Sequence, residues 1–177
     1  MKKEVLCILI MFLVGAALPA QDFSRAVQDK IKNFDFMIGT WTGEGAVISP
    51  DGNSDISQVT EVIGYEVGNT VIQMRGLGTK TLESGEKITV HDALGVLSYD
   101  YFQQKYKLYS FISKGMQTIA DIDLKEEGHV VWWIKAGSNM TIRYTINVKD
   151  DKWNEVGERS SDGETWNKFF EMNLTKQ

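Results

Sequence analysis

Apolar and polar residues alternate along most of this chain, and the period of the alternation changes once. Phe23, Val27, Ile31 and Phe34 recur at steps of three and four, which predicts one short amphipathic helix from about Ser24 to Asn33, with Asp22 or Ser24 placed to cap its start. From Gly39 onward the period is two. Runs rich in β-branched and aromatic residues fall at Gly39–Ile48, Ser57–Glu66, Thr70–Gly78, Ile88–Tyr99, Lys105–Ser113, Gln117–Lys125, His129–Ala136, Met140–Val148, Lys152–Ser160 and Thr165–Thr175. Turn chemistry separates them, as in Pro50-Asp51-Gly52-Asn53, Gly68-Asn69, Ser84-Gly85, Glu127-Gly128 and Asp162-Gly163. Connections this short make each run the antiparallel neighbour of the next.

A meander of about ten strands has two edges that would template aggregation, and up-and-down closure removes both. The expected fold class is therefore all-β: a closed antiparallel barrel of about ten strands with one short N-terminal helix. Eight strands already leave an interior that side chains barely fill, and the diameter grows with strand number, so room inside is expected. Alternation assigns the faces. In Met140–Val148 the apolar set Met140, Ile142, Tyr144, Ile146 and Val148 points inward, opposite Thr141, Arg143, Thr145 and Asn147. In the last run the inward set is Trp166, Phe170, Met172 and Leu174, with Lys168 as the awkward member. In the first run Trp41 shares a face with Gly39, Gly43, Gly45 and Val47, so Trp41 is expected to fill one end of the barrel while the glycines permit close approach.

The first 20 residues read as a secretory signal: Lys2 and Lys3, an apolar run of 14 residues from Val5 to Leu18, then Pro19-Ala20. That run is shorter than the roughly 20 residues of a membrane-spanning helix. Residues 21–177 are expected to form a single domain, periplasmic or secreted after cleavage near Ala20. Without Lys2, Lys3 and Glu4 the 19 basic and 24 acidic residues become 17 and 23, a net charge of −6. No Lys/Arg cluster stands out, so a nucleic-acid partner is not expected. Cys7 lies inside the signal, leaving neither disulfides nor a thiol nucleophile in the mature chain.

Gly39-Thr40-Trp41 after a short helix resembles the opening of the calycin group, the lipocalins and their relatives. FDFMIGTWTGEG (Phe34–Gly45), HDALGVLSYD (His91–Asp100), IRYTI (Ile142–Ile146) and SSDGETWNKFFEM (Ser160–Met172) together resemble a family of exported, lipocalin-like bacterial proteins catalogued as a domain of unknown function. The resemblance runs over essentially the whole mature chain; it implies a barrel and an export route and carries no established activity. The opening also resembles nitrobindin, a ten-stranded haem-binding barrel whose iron is held by a histidine near the C-terminus. Here no histidine follows His129, which argues against haem.

Few residues offer chemistry. His91 and Asp92 are consecutive in a strand and point to opposite faces, so they do not form a base and its orienter. His91 is still the first choice for a polar group in the interior. His129 lies in a turn 38 residues away, and with no cysteine the two histidines offer no zinc spacing. SSDGETW is similar to the aspartate box of sialidases but lacks a residue between Asp162 and Gly163, and reads as a hairpin turn. Glu155 and Glu158 fall on opposite faces, against a facing pair of glycosidase carboxylates; Glu155 shares its face with Trp153, Gly157 and Arg159, and a pair with Arg159 or Arg143 is the structural alternative. Trp132 and Trp133 also face opposite ways, and the outer one offers a patch for a homodimer. Arg75, on the face of Val71, Gln73 and Leu77, is the candidate anchor for an anionic headgroup.

The leading expectation is an exported carrier or sensor that binds a small hydrophobic molecule, one with a carboxylate or hydroxyl if a polar group is met. Its candidate site residues are Trp41, Arg75, His91, Tyr99, Tyr144, Phe170 and Met172. No catalytic or metal-binding residue and no cofactor are assigned. The alternatives are an enzyme on the same barrel with His91 as acid/base, or a filled barrel that acts through its surface.

Overall fold

The structure, a computed structural model, describes residues 22–177. The expected signal segment, residues 1–20, lies outside the described residues.

Helix α1 (Ser24–Ile31) is the predicted amphipathic helix. Asp22 Oδ1 accepts a hydrogen bond from the Ser24 N–H at 2.8 Å, and the Ser24 hydroxyl together with that N–H holds the Asp22 carboxyl below its ordinary range. The helix does not simply end near Asn33. It tightens into a 3₁₀ segment, Lys32–Met37, which turns Phe34 and Met37 into the barrel, where both are buried.

Ten strands follow: β1 (Gly39–Ile48), β2 (Ser54–Glu66), β3 (Val71–Thr81), β4 (Lys87–Asp100), β5 (Lys105–Ile112), β6 (Gln117–Glu126), β7 (His129–Ala136), β8 (Met140–Lys149), β9 (Lys152–Ser160) and β10 (Asn167–Lys176). Each pairs antiparallel with the next, and β1 pairs with β10 from Trp41↔Lys176 to Val47↔Phe170, closing the barrel. Gly43 shows what closure requires of the sequence: a Cβ there would overlap the carbonyl oxygen of Asn173 on β10.

One end is capped. Ile31, Phe34 and Met37 from the helical segment meet Trp41, Ile72, Leu97, Val130 and Trp153 in a continuous buried cluster. Trp41 fills this end as expected. Its indole N–H donates to the Met37 carbonyl at 2.8 Å, and its ring lies edge-on to Trp153 at 5.5 Å. Polar contacts tie the cap down: the Tyr106 hydroxyl donates to the Lys30 carbonyl and accepts from Asn33, and the Tyr65 hydroxyl donates to Asp35. At the opposite end no helix among the described residues covers the opening, and the inward-row residues Val47 and His91 are exposed.

The inward set read for β8 is the observed one: Tyr144, Ile146 and Val148 register with Gly157, Glu155 and Trp153 of β9, which themselves face the interior. Trp132 is the inner tryptophan, stacked on Tyr144 with centroids 4.0 Å apart, whereas Trp133 registers with outward Arg143. In β10 the alternation breaks. A bulge between Lys168 and Phe170 inserts Phe169, so Phe170, Met172 and Leu174 face inward as expected but Trp166 and Lys168 do not. Trp166 instead lies under the Arg143 guanidinium, 3.9 Å from the ring centroid, and Lys168 pairs with Glu171. Arg143 also pairs with Glu158, so Glu155 is not its partner.

Candidate functional site

Above the cap the barrel becomes wider than its side chains. The inward positions one layer up are small on several strands: Gly76 on β3, Ala93 and Gly95 on β4, Ser110 on β5. A cavity of about 130 Å³ results. Met37 and Trp153 bound it on the capped side; Ile63, Met74, Leu97, Leu108, Ile122 and Ile146 supply apolar walls, and Trp132 an aromatic one.

Two acids complete the lining, Glu61 from β2 and Glu155 from β9. Register explains their orientation. Glu61 pairs with Trp41 on one side and Gly76 on the other, in the inward row of Val59, Ile63 and Tyr65. Glu155 pairs with Ile146 and Met172, in the inward row of Trp153 and Gly157. Gly76 makes room for the first carboxyl: a Cβ at that position would stand 2.6 Å from Glu61 Oε1. Glu155 is only 8 % exposed, and its Oε2 accepts a long hydrogen bond, 3.4 Å, from the Trp153 indole N–H.

Among the described residues no ion pair involves either acid, since every salt bridge lies elsewhere. Burying a carboxylate without a cation favours its neutral form. Burial, and secondarily the charge of Glu155, pushes the Glu61 carboxyl up to about 8. Burial pushes Glu155 up to about 7 against the opposing pull of the Trp153 and Trp132 indole N–H groups. Burial, with Glu155 adding to it, also raises the Tyr144 hydroxyl. The interior is therefore apolar and aromatic with one acidic corner that takes up and releases protons near neutrality.

None of the seven residues singled out in the sequence lines this cavity. Tyr144, Phe170 and Met172 do face the barrel interior, with Tyr144 stacked behind Trp132. Trp41 belongs to the cap, and Tyr99 packs on Tyr106 there at 5.0 Å. His91 stands at the open mouth, in the inward row that continues through Ala93 and Gly95; its ring is exposed on one side, and the partial loss of water on the other, opposed by Asp92, lowers its proton affinity. Arg75 is on the outside. Its face, with Leu77, is the exposed one, and its guanidinium bonds to Asp92 at 2.7 Å and to the Ala93 carbonyl. The inward row of β3 is Ile72, Met74, Gly76 and Gly78, so the glycines, not the flanking Val71 and Leu77, mark the interior. Asp92 is engaged by Arg75 on the outer surface, so His91 and Asp92 form no dyad.

A second hollow, about 640 Å³, lies at the capped end between Phe36 and the β6–β7 and β8–β9 turns. It is larger, and Glu126 at the end of β6 stands exposed at its rim with Glu127, Asp150 and Asp151 of the turns. No group of acidic, histidine or cysteine side chains among the described residues is placed to hold a metal ion. SSDGETW forms the β9–β10 hairpin turn, in which Asp162 Oδ1 accepts from the N–H groups of Glu164 and Thr165 and from the Ser160 hydroxyl.

No family model matches the chain, and no curated protein matches it in sequence. Solved structures match it in fold. Rv2717c from M. tuberculosis superposes with a TM-score of 0.58 at 11% identity, covering 85% of this chain and 97% of that one. The S-type phycobiliprotein lyase CPES from Guillardia theta gives 0.56 at 11% identity, covering 89% and 98%. These likenesses, with the closed ten-strand barrel, establish a calycin-like fold.

Proposed function

We propose that this protein is an exported small-molecule-binding barrel that encloses a compact, largely apolar guest in its mid-barrel cavity. The observation that carries the reading is the cavity itself, about 130 Å³ bounded by aliphatic and aromatic side chains below an uncapped mouth. A cavity of that order matches one six-carbon ring. The guest is thus smaller than a fatty acid or a retinoid. Export is supported by the signal-like composition of residues 1–20, and a small-molecule role is in keeping with the calycin-like fold.

A carboxylate-bearing guest fits poorly. Arg75 is engaged outside the barrel, and the cavity would oppose such a group with two acids. The enzymatic alternative with His91 as acid/base draws less support, because His91 stands at the mouth and is not among the residues that line the cavity.

Toluene, a probe of suitable size, tests the reading by thermal denaturation. Binding at 100-fold over the dissociation constant should stabilise the fold by about 2.7 kcal/mol. Ala93→Phe, which fills the cavity, should remove the response. An unchanged melting temperature in saturated toluene defeats the proposal.

A further inference from the structure

The cavity holds more acid than an apolar guest can use. Glu61 has no hydrogen-bond or ion-pair partner among the described residues, and Glu155 is more than nine-tenths buried with only the Trp153 and Trp132 indole N–H groups to meet it, the Trp153 bond a long 3.4 Å. Both line the same 130 Å³, beside Trp132 and Trp153. Gly76 leaves the space that the Glu61 carboxyl occupies, so the acid is seated by the backbone rather than merely tolerated. A buried acid that serves only the fold would be satisfied by neighbouring donors.

We propose that the guest is a small organic amine, its ammonium group received by the carboxyls of Glu61 and Glu155 and its hydrocarbon part lying on Trp132 and Trp153. This rests on the cavity-binding reading above and specifies its chemistry. An ammonium has three donors and no acceptor, which complements two carboxyl groups, and a cation gains further from aromatic faces. Inorganic cations are poorly served, since carbonyl and water ligands do not join the acids here.

The remaining titratable and charged groups of the inward rows are compatible. Tyr144 is raised and stays neutral; Tyr65, Tyr99 and Tyr106 are in the cap. Lys176 registers with Trp41 at the capped end, while His91 and Arg159 register with Gly78 and Ile142 toward the mouth, where Asp55, opposite Val47, is paired with Lys80. Binding of an ammonium ion should release the protons that the two acids hold: the carboxyl O–H bonds break, the protons leave to buffer, and the cation takes their place.

The test compares benzylamine with benzyl alcohol, near-isosteres, by titration calorimetry at pH 6.5 in two buffers of different ionisation enthalpy. The expected result is at least ten-fold tighter binding of benzylamine, with net proton release, and a preference reduced at least ten-fold in Glu61→Gln and Glu155→Gln while benzyl alcohol affinity is retained. The wild-type ratio and proton count do not depend on either variant folding. Equal affinities with no proton release overturn the amine assignment and leave the cavity reading intact if toluene still stabilises the fold. Failure of all three probes overturns both.

Discussion

The capped end and the middle of the barrel share the same strands and differ in what the inward rows carry. On β9, Trp153 is buried in the cap cluster and Glu155, the next inward residue, faces the cavity; on β2, Ile63 and Glu61 make the same change. One inward step, roughly 7 Å along a strand, separates solid packing from a hollow with two unpaired acids. The lesson is that the cap and the small residues of the barrel wall together decide where the core stops. Ile31, Phe34 and Met37 fill the axis up to Trp41, and beyond their reach small residues leave the space open.

The largest expected effect breaks the filled half. Trp41→Ala removes a fully buried indole, its bond to Met37 and its edge contact with Trp153, and should destabilise the fold by about 3–5 kcal/mol. Chemical denaturation measures it. A loss under about 1 kcal/mol would mean that the cap is not seated as described.

Next comes the pH response of the hollow half. Glu61 and Glu155 have folded values above the ordinary 4.5 of a glutamate, so the folded state binds more protons than the unfolded one between about 4.5 and 8. Their contribution is therefore favourable below about 4.5 and is lost as the pH rises through about 7 and 8. Glu61→Gln should be more stable than the parent at pH 8.5 by on the order of 2 kcal/mol, a discounted figure for a partly accessible group, and equal to it near pH 4. Asp162 provides the opposite sign on the same molecule. Its carboxyl is held low by the Thr165 and Glu164 N–H groups and the Ser160 hydroxyl, so its contribution is present at neutral pH and fades in acid. Melting curves across pH for the parent, Glu61→Gln and Asp162→Asn separate the two. Parallel curves for the parent and Glu61→Gln would contradict the buried acid.

Much of the filled half is legible in the residue pattern. Period-two alternation places all ten strands within a few residues, the helical period finds α1, and Trp41 is identifiable as the end plug because it begins a strand directly after that helix. The hollow half is less legible, for physical reasons that can be named. On β3 the inward row contains Gly76 and Gly78, which carry no hydropathy signal, so apolar Val71 and Leu77 suggest the wrong face and bring Arg75 with them. On β10 the bulge at Phe169 depends on pairing with β9, which no local pattern encodes. Glu61 did leave a trace: it sits between Val59 and Ile63 in a row continued by Tyr65, which marks an acid on an inward face. The cavity volume is harder to read, because it depends on which small wall residues share a layer and on how deeply a segment distant in sequence enters the barrel.

The smallest expected effect on stability is also the most selective for the difference between the two halves. In Gly76→Ala the new methyl group would stand 2.6 Å from Glu61 Oε1, close enough to displace it. The obstacle is the tip of a flexible side chain rather than backbone, and the strand conformation at Gly76 suits alanine, so the cost in stability should be under about 1 kcal/mol. The Glu61 carboxyl, however, must swing away from its seat while Glu155 stays. Benzylamine affinity should then fall about ten-fold with benzyl alcohol affinity changed less, and the proton release at pH 6.5 should shrink. If both probes weaken equally, the methyl group is acting through lost volume alone, and the position of Glu61 over Gly76 has no bearing on the choice of guest.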